Sequence, residues 1–307
     1  MTPMKFPAFA LGAALSALPA LALETDRQYG AASFQFLKLP LSPRIVALGG
    51  AGVALSDGAG ELDLNPAAPA SDSARLVIGK GFPFSEFRAG SSHITWSIPY
   101  HGYRILLNAR YLGFDDLEGW DGLDQSTSKY GAHTLKLQGG LAGHWRKLFW
   151  GATLNYAENN IAEANYGSGM ANAGFRYAVL PGLFAGVSLV NADFWGSGAK
   201  DPDREDPFPP TALQAGLGYG RELGKGFSAS IAADARTRND EKLTFPAGAE
   251  VAWRNMIFAR VGYPFAEPEP ALNGGLGLRW ALFQFQYAYQ GHATLGPGHY
   301  WALEIAY

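Results

Sequence analysis

In this chain of 307 residues, apolar and polar residues alternate with a period of two in segment after segment from about residue 74 onward. The stretch FQFQYAYQ, residues 283–290, has aromatic side chains at every odd position and glutamine or alanine at every even one. Successive side chains of a β-strand point to opposite faces, so such a strand lies between two different environments. Fourteen segments follow this pattern: residues 74–81, 86–98, 102–113, 131–142, 145–157, 168–180, 182–194, 210–220, 226–237, 243–254, 256–264, 271–281, 282–291 and 298–307.

The two faces of these segments differ in charge. One face is almost wholly apolar, with Trp and Tyr near the segment ends, as in the aromatic belts of membrane barrels. The other face carries eight cations and three carboxylates: Arg75, Arg104, Arg110, Lys136, Arg176, Arg236, Arg260, Arg279, Asp234, Glu250 and Glu304. A Lys or Arg that faces lipid at the membrane centre costs roughly 2–4 kcal/mol. We therefore expect the apolar face in lipid and the charged face around an enclosed lumen.

A soluble sandwich is the alternative for such an alternating chain. Charged residues make up only 17% of the sequence, against about a quarter in typical soluble domains, so few are present to solvate two outer faces. Tight links near 98–102, 143–145, 180–182, 220–226, 254–256 and 281–282 alternate with mostly longer ones near 114–130, 158–167, 195–209, 238–242, 265–270 and 292–297. The sequence thus predicts an all-β, 14-stranded antiparallel transmembrane barrel over residues 74–307, with both termini at the rim of tight turns.

The N-terminus, MTPMKFPAFALGAALSALPALA, resembles a secretory signal peptide. Lys5 precedes an apolar run, and Ala20-Leu21-Ala22 fits an A-x-A cleavage site, so we assign residues 1–22 to the signal. Pro19 and the small residues break the run early, which disfavours an anchoring helix. Export and a barrel together predict the outer membrane of a diderm bacterium, with its lipid as the surrounding partner.

Residues 23–73 lack the alternation and are expected to form a hatch inside the barrel. Eight strands close a barrel that side chains fill, whereas sixteen or more leave an aqueous channel. Fourteen strands are intermediate, so an open pore would leak unless a segment such as this one fills it. Gly49, Gly50 and Gly52 lie between short apolar runs, where glycine allows close packing or positive φ. Asn65-Pro66 favours a turn.

The hatch segment also resembles the N-terminal region of the PorV/PorQ outer-membrane proteins, within the wider superfamily of the fatty acid transporter FadL. The resemblance rests on Phe36-Leu37-Lys38-Leu39-Pro40, Arg44, residues 47–51, Ala54-Leu55-Ser56-Asp57 and Asn65-Pro66-Ala67. Gly58 and the Ala-Pro after the NPA triplet depart from the family pattern. The resemblance implies a 14-strand barrel plugged by an NPA-containing hatch. The marked hatch residues are Arg44, Gly49, Gly50, Gly52, Asp57, Asn65 and Pro66.

The sequence contains no motif that indicates catalysis, metal binding or nucleic-acid binding. The glycine-rich GGAGVALSDGAG lacks the strand, helix and ribose-binding acid of a dinucleotide loop. The six histidines lack ligand spacing, and no G-x-S-x-G occurs. The chain has no cysteine and a formal net charge of −3, which gives no signal for nucleic acid. We expect no catalytic residue, no metal and no cofactor.

Two further groups of residues are candidates for binding. The loop FDDLEGWDGLD, residues 114–124, reads as a solvated extracellular loop, or as a weak Ca²⁺ or partner contact at Asp116, Trp120 and Asp121. The excess of lumen cations is consistent with two roles: the cations could form hydrogen-bond ladders that stabilise the wall, or they could form a surface that attracts an anionic group such as a carboxylate. The candidates for that second role are Arg104, Arg110, Lys136 and Arg176.

Two functions follow from the resemblance. A PorV/PorQ-type protein would be an accessory barrel of a type IX-like secretion or surface-attachment route, with exported proteins or secretion components as partners, and the motif string ranks this first. A FadL-like protein would be a transporter of hydrophobic small molecules such as long-chain fatty acids. Copurified polypeptides or copurified lipid-like molecules would separate the two.

Overall fold

The fold is a closed antiparallel β-barrel of fourteen strands. The computed structural model describes residues 30, 32–67, 73–84, 89–120, 126–161, 164–198, 208–292, 294 and 296–307. The strands are β1 Arg75–Phe82, β2 Ala89–Tyr100, β3 Tyr103–Trp120, β4 Ser126–Trp145, β5 Leu148–Ile161, β6 Ala164–Leu180, β7 Leu183–Gly198, β8 Ala212–Gly224, β9 Phe227–Arg238, β10 Glu241–Trp253, β11 Ile257–Phe265, β12 Asn273–Trp280, β13 Phe283–Gln290 and β14 Gly298–Ala306. Each strand pairs with its neighbours in sequence, and β1 pairs with β14 to close the barrel. The predicted fold class and strand number are confirmed.

The sidedness of the strands also agrees with the sequence pattern. In β13, Phe283 and Phe285 lie outside and are nearly half exposed, whereas Gln284 and Gln286 are buried in the lumen. The same division holds around the wall, where the exposed residues include many Leu, Ile, Phe, Tyr and Trp side chains. An apolar exterior of this kind is what a bilayer requires of a barrel.

The two rims differ less than the sequence predicts. One rim has tight turns such as His101–Gly102, whose φ values of 48° and 83° suit a two-residue hairpin. At the other rim, the predicted long loops 114–130, 158–167 and 238–242 are shortened, because β3, β4, β5, β6, β9 and β10 continue as paired hairpins beyond the expected ends. Ala74 and Tyr307 hydrogen-bond to each other, so β1 begins and β14 ends at the tight-turn rim.

The described residues before β1 contain only short helical pieces. These are two 3₁₀ turns, Gln35–Lys38 and Ala59–Glu61, and one α-helix, α1, at Pro43–Ala47. Among the described residues, no helix is long and apolar enough to cross a membrane. The predicted signal peptide, residues 1–22, lies outside the described residues.

Candidate functional site

Residues 32–67 lie inside the barrel, and we call them the hatch. Four clusters of apolar side chains attach the hatch to the wall. Phe34, Phe36 and Leu37 pack on Leu112, Ala157 and Met170; Val46 and Ala47 pack on Ala288 and Tyr300; Ala59 packs on Val77 and Ala302; Leu62 packs on Leu106 and Ala142. All these hatch side chains are buried, which gives the segment a core of its own against the lumen wall.

Glycines let the hatch backbone approach the wall closely. Gly49 has a φ of 70°, and a Cβ atom there would lie 2.6 Å from the backbone nitrogen of Tyr263. Gly50 and Gly52 also have positive φ values, of 89° and 126°. The wall has matching glycines: a Cβ at Gly262 would lie 2.0 Å from the carbonyl carbon of Leu48. Side chains at Gly49 or Gly262 would push the hatch from the wall.

Arg44 in α1 is the centre of an ionic cluster between hatch and wall. Its Nε and Nη2 donate to Oε2 and Oε1 of Glu250 in β10, at 3.1 and 3.3 Å. Its Nη1 donates to Glu61 at 3.1 Å and to Asp57 at 3.3 Å. Burial lowers the pKa of Arg44, but the three carboxylates raise it by more, so the guanidinium keeps its charge. Two-point guanidinium–carboxylate pairs are directional as well as strong.

Asp234 in β9 holds the glycine-rich turn. Its Oδ2 accepts hydrogen bonds from the backbone N–H groups of Gly52 at 2.7 Å and Val53 at 3.0 Å. Gln214 in β8 donates to the same oxygen at 2.7 Å and to the carbonyl oxygen of Gly50 at 3.0 Å. The wall thereby satisfies buried polar groups of a turn that has no regular structure of its own.

Asn65 and Pro66 form the turn that ends the hatch. The Asn65 side chain accepts from the Ala67 N–H at 2.9 Å, which is an Asx-turn, and donates to the Val53 carbonyl at 2.8 Å. It also donates to the Phe175 carbonyl of β6 at 3.3 Å, and it is fully buried. The amide therefore ties two parts of the hatch to each other and to the wall.

The structure separates the four candidate lumen cations. Arg110 and Lys136 are register neighbours on β3 and β4, and Lys136 pairs with Asp63 of the hatch. Arg110 donates to the Ser91 hydroxyl at 3.3 Å and lies 5.4 Å from the Phe36 ring centroid. Burial raises the pKa of Asp63, but Lys136 and Arg110 lower it by more, so it falls below the ordinary 3.8.

Arg104 and Arg176 lie nearer the tight-turn rim. Arg104 donates to the Ser97 hydroxyl at 2.7 Å and to the Ser73 carbonyl at 2.8 Å. Arg176 donates to the Ser56 carbonyl of the hatch and lies over the Phe149 ring, 4.6 Å from its centroid. The excess of wall cations therefore has a partner that sequence reasoning missed, because Asp57, Glu61 and Asp63 of the hatch supply negative charge to the lumen. The signal for these contacts is that acidic residues occur in a segment expected to enter a lumen with an excess of cations.

The predicted extracellular loop is mostly strand. Asp116 and Trp120 lie in the extended part of β3, and Asp121 lies outside the described residues. The hydrophobic alternation stops at residue 113, so the continued pairing with β4 could not be predicted. Among the described residues, no group of three or more His, Asp or Glu side chains could hold a metal ion.

The hatch separates two cavities of different character. The upper cavity, of about 240 Å³, opens toward the rim opposite the tight turns, and Leu37, Leu39, Leu41, Ile45, Val46 and Leu64 of the hatch line it. The lower cavity, of about 630 Å³, lies on the tight-turn side and is rich in charge, with Arg75, Arg221, Arg260, Arg279, Glu222 and Glu304 on its wall. Glu61 lines both cavities. The Arg44 cluster is thus in the partition between them.

Solved structures with this arrangement of strands include hydrocarbon transporters. The toluene transporter TodX of Pseudomonas putida matches with a TM-score of 0.59 at 11% identity, over 86% of this chain and 96% of that one. The chain has the FadL-type barrel fold. The toluene transporter TbuX of Ralstonia pickettii (TM-score 0.54, 13% identity, 87% and 97% covered) and a Pseudomonas aeruginosa FadL homologue (0.51, 10%, 88% and 98%) match similarly. No protein-family model and no curated protein sequence matches the chain.

Proposed function

We propose that this protein is an outer-membrane channel for small hydrophobic molecules, with the hatch as its gate. The observation that carries the proposal is the partition: a cavity bordered by apolar hatch side chains and paired wall charges lies on one side of the hatch, a more highly charged cavity lies on the other, and the Arg44 cluster separates them. A solute that enters from the upper rim meets apolar hatch residues first. It reaches the lower cavity only when the contacts of Arg44 with the wall are released.

The size of the upper cavity indicates a small substrate. Its volume of about 240 Å³ is below the roughly 300–1,000 Å³ of pockets that hold drug-sized ligands. The cations on its wall are paired: Lys38 bonds Asp240 at 2.7 Å, and Arg236 pairs with Glu267. A neutral compound about the size of one aromatic ring fits this setting. Toluene, the compound that TodX and TbuX transport, is therefore the first probe.

Uptake of radiolabelled toluene by cells of a diderm host that lacks its own FadL-like channel tests this function. We expect the native protein to raise the uptake rate. Leu64→Gln, which replaces an apolar hatch side chain of the upper cavity with a polar one, should lower that rate severalfold. Leu223→Gln is the matched control, because Leu223 is exposed in β8 near the tight-turn rim. Uptake no faster than that of cells without the protein would contradict the proposal.

The second candidate is the accessory role in a type IX-like secretion or attachment route, which the sequence motifs rank first. It is supported by the PorV/PorQ-like string of Phe36–Pro40 and Asn65–Ala67 in the hatch. The FadL-type neighbours favour transport over it. Purification in mild detergent separates the two: hydrophobic small molecules with no stoichiometric polypeptide support transport, and an exported polypeptide bound in constant ratio supports the secretion role.

A further inference from the structure

The outer surface of the barrel has a groove across the seam where β1 and β14 close the wall. The groove has a volume of about 570 Å³, within the range of ligand pockets. Its apolar lining is formed by side chains of six adjacent strands: Ile78, Ile94, Ala109, Leu135, Phe285 and Leu303. All but Leu135 are directly paired across neighbouring strands, in the order Phe285, Leu303, Ile78, Ile94 and Ala109. Ala109 is the smallest of them, and its short side chain leaves the hollow between its larger neighbours.

A second groove continues the first one along the barrel wall. It has a volume of about 680 Å³ and shares Ile94 and Ala109 with the first. Its other apolar residues are Leu76, Trp96, Leu107, Leu137 and Leu154. Two connected apolar grooves of this size can hold more than one hydrocarbon chain.

A cation lies at one end of the first groove. Lys80 points outward from β1, is exposed, and is two residues from the strand end at the rim opposite the tight turns. Its register neighbours are Trp301 of β14 and Ser92 of β2, and its Nζ lies 5.1 Å from the Phe82 ring centroid. A lysine on the lipid face costs roughly 2–4 kcal/mol at mid-membrane but about 0–1 kcal/mol near the interface, which places Lys80 at headgroup level.

Aromatic residues flank this cation and hold the surface in shape. Trp301 packs edge-on against Phe82, with ring centroids 5.7 Å apart, and it lies 5.9 Å from Tyr287. The Tyr287 hydroxyl oxygen is 2.8 Å from Nδ1 of His299. Aromatic side chains of this kind occupy the headgroup level of membrane proteins. The groove therefore runs from hydrocarbon depth to the interface and has its positive charge at the interface end.

We propose that this surface binds a membrane lipid with an anionic phosphate headgroup, with the phosphate on Lys80 and acyl chains in the two grooves. The proposal rests on the membrane placement above, because it needs the rim beside Lys80 to meet lipid headgroups. Charge complementarity selects the headgroup, and the apolar lining selects the chains. A second copy of this chain is the other occupant that an apolar outer surface could take.

Native mass spectrometry on protein released from nanodiscs tests this site. The discs contain equal amounts of phosphatidylglycerol and phosphatidylcholine with identical acyl chains. We expect retained phosphatidylglycerol to exceed phosphatidylcholine, and Lys80→Gln to reduce that preference about fivefold. Ala109→Phe, which fills the hollow shared by both grooves, lowers the retention of both lipids. Lys147→Gln, which removes an exposed cation at the tight-turn rim, leaves the preference unchanged.

Two results would overturn the lipid site: Lys80→Gln retaining the native preference, or a dimer mass in place of bound lipid. Heat-modifiable electrophoretic mobility distinguishes this failure from failure of the membrane assignment. A protein that enters the discs and shows the mobility shift, yet retains both lipids equally, loses only the lipid site. A protein that never enters the discs loses the proposed function as well.

Discussion

Arg44 of the hatch and Glu250 of the barrel wall share a two-point ion pair, with Nε–Oε2 and Nη2–Oε1 distances of 3.1 and 3.3 Å. Their side chains are each only 12% exposed, so the pair is shielded from water on most sides. The same guanidinium also bonds Glu61. One side chain therefore links the wall to two parts of the hatch.

We predict that Arg44→Met loosens the hatch. Glu250 keeps Arg260, but Glu61 loses its cation, and removal of one partner from a buried pair typically costs about 3–5 kcal/mol. Amide hydrogen exchange over residues 43–61 should accelerate strongly, and single-channel conductance should rise. Arg221→Met, which removes an exposed cation from the wall of the lower cavity, is the control. Equal exchange in the two variants would show that Arg44 does not hold the hatch.

We predict that Gly174→Ala displaces the end of the hatch. A Cβ at Gly174 would lie 2.0 Å from the Asn65 side-chain oxygen and 2.8 Å from Pro66, so the turn has to move. The lost amide hydrogen bonds and packing should lower the stability of hatch docking by about 2 kcal/mol. Proteolysis of the hatch in detergent measures the release.

The control for this change is Gly220→Ala, on the same inner face. A Cβ there has ordinary contacts, the nearest at 3.6 Å to Ser230. Its cleavage rate should match that of the native protein. If Gly174→Ala were cleaved no faster than this control, the Asn65 turn would not be a required attachment.

We predict that acid weakens the attachment of the hatch through Asp63. The folded-state pKa of Asp63 lies below its ordinary 3.8, so ionised Asp63 stabilises docking above that value. This contribution is lost as the pH falls through the lowered pKa. The protection of the hatch amides, taken as their exchange rate relative to the intrinsic rate at each pH, should therefore stay constant from neutral pH down to about 4 and fall below it.

Lys136→Met tests the cause of that pH dependence. Without Lys136, burial raises the pKa of Asp63 toward or above its ordinary value, so protonation no longer disfavours docking and the acid-induced loss of protection should shrink or disappear. Lys147→Met, at an exposed position of the tight-turn rim, should leave the profile unchanged. A profile of Lys136→Met that coincides with the native one would mean that Asp63 does not report on this pair.

The barrel could be predicted from the sequence because its two environments impose a strict alternation. Within β3, Arg104 and Arg110 are an even number of residues apart and both face the lumen; within β13, Phe283 and Phe285 both face lipid. A few charged or aromatic residues therefore show which face of a strand points inward. The strand ends at the upper rim could not be predicted. Beyond residue 113 the apolar–polar alternation of the sequence stops, yet the backbone pairing of β3 with β4 continues.

The hatch could be predicted as a segment but not as a set of contacts. Its glycines and Asn65-Pro66 indicate turns, because those residue types permit special backbone geometry. The wall partner of Arg44 lies 206 positions away in the chain, and the hatch partner of Lys136 lies 73 positions away. Such pairs depend on how the hatch lies in the lumen, and no local pattern encodes that placement.

A reversible disulfide between the hatch and the wall tests whether solutes pass through the lumen only when the hatch moves. The chain has no cysteine, so the double variant Gly50→Cys/Pro246→Cys introduces one defined pair. A Cβ at Gly50 would lie 3.8 Å from that of Pro246, which is the usual disulfide separation. We predict that toluene uptake by cells falls to background when the pair is oxidised and recovers on reduction, whereas Pro246→Cys alone responds to neither. Uptake that stays at the native rate with the disulfide formed would contradict the account.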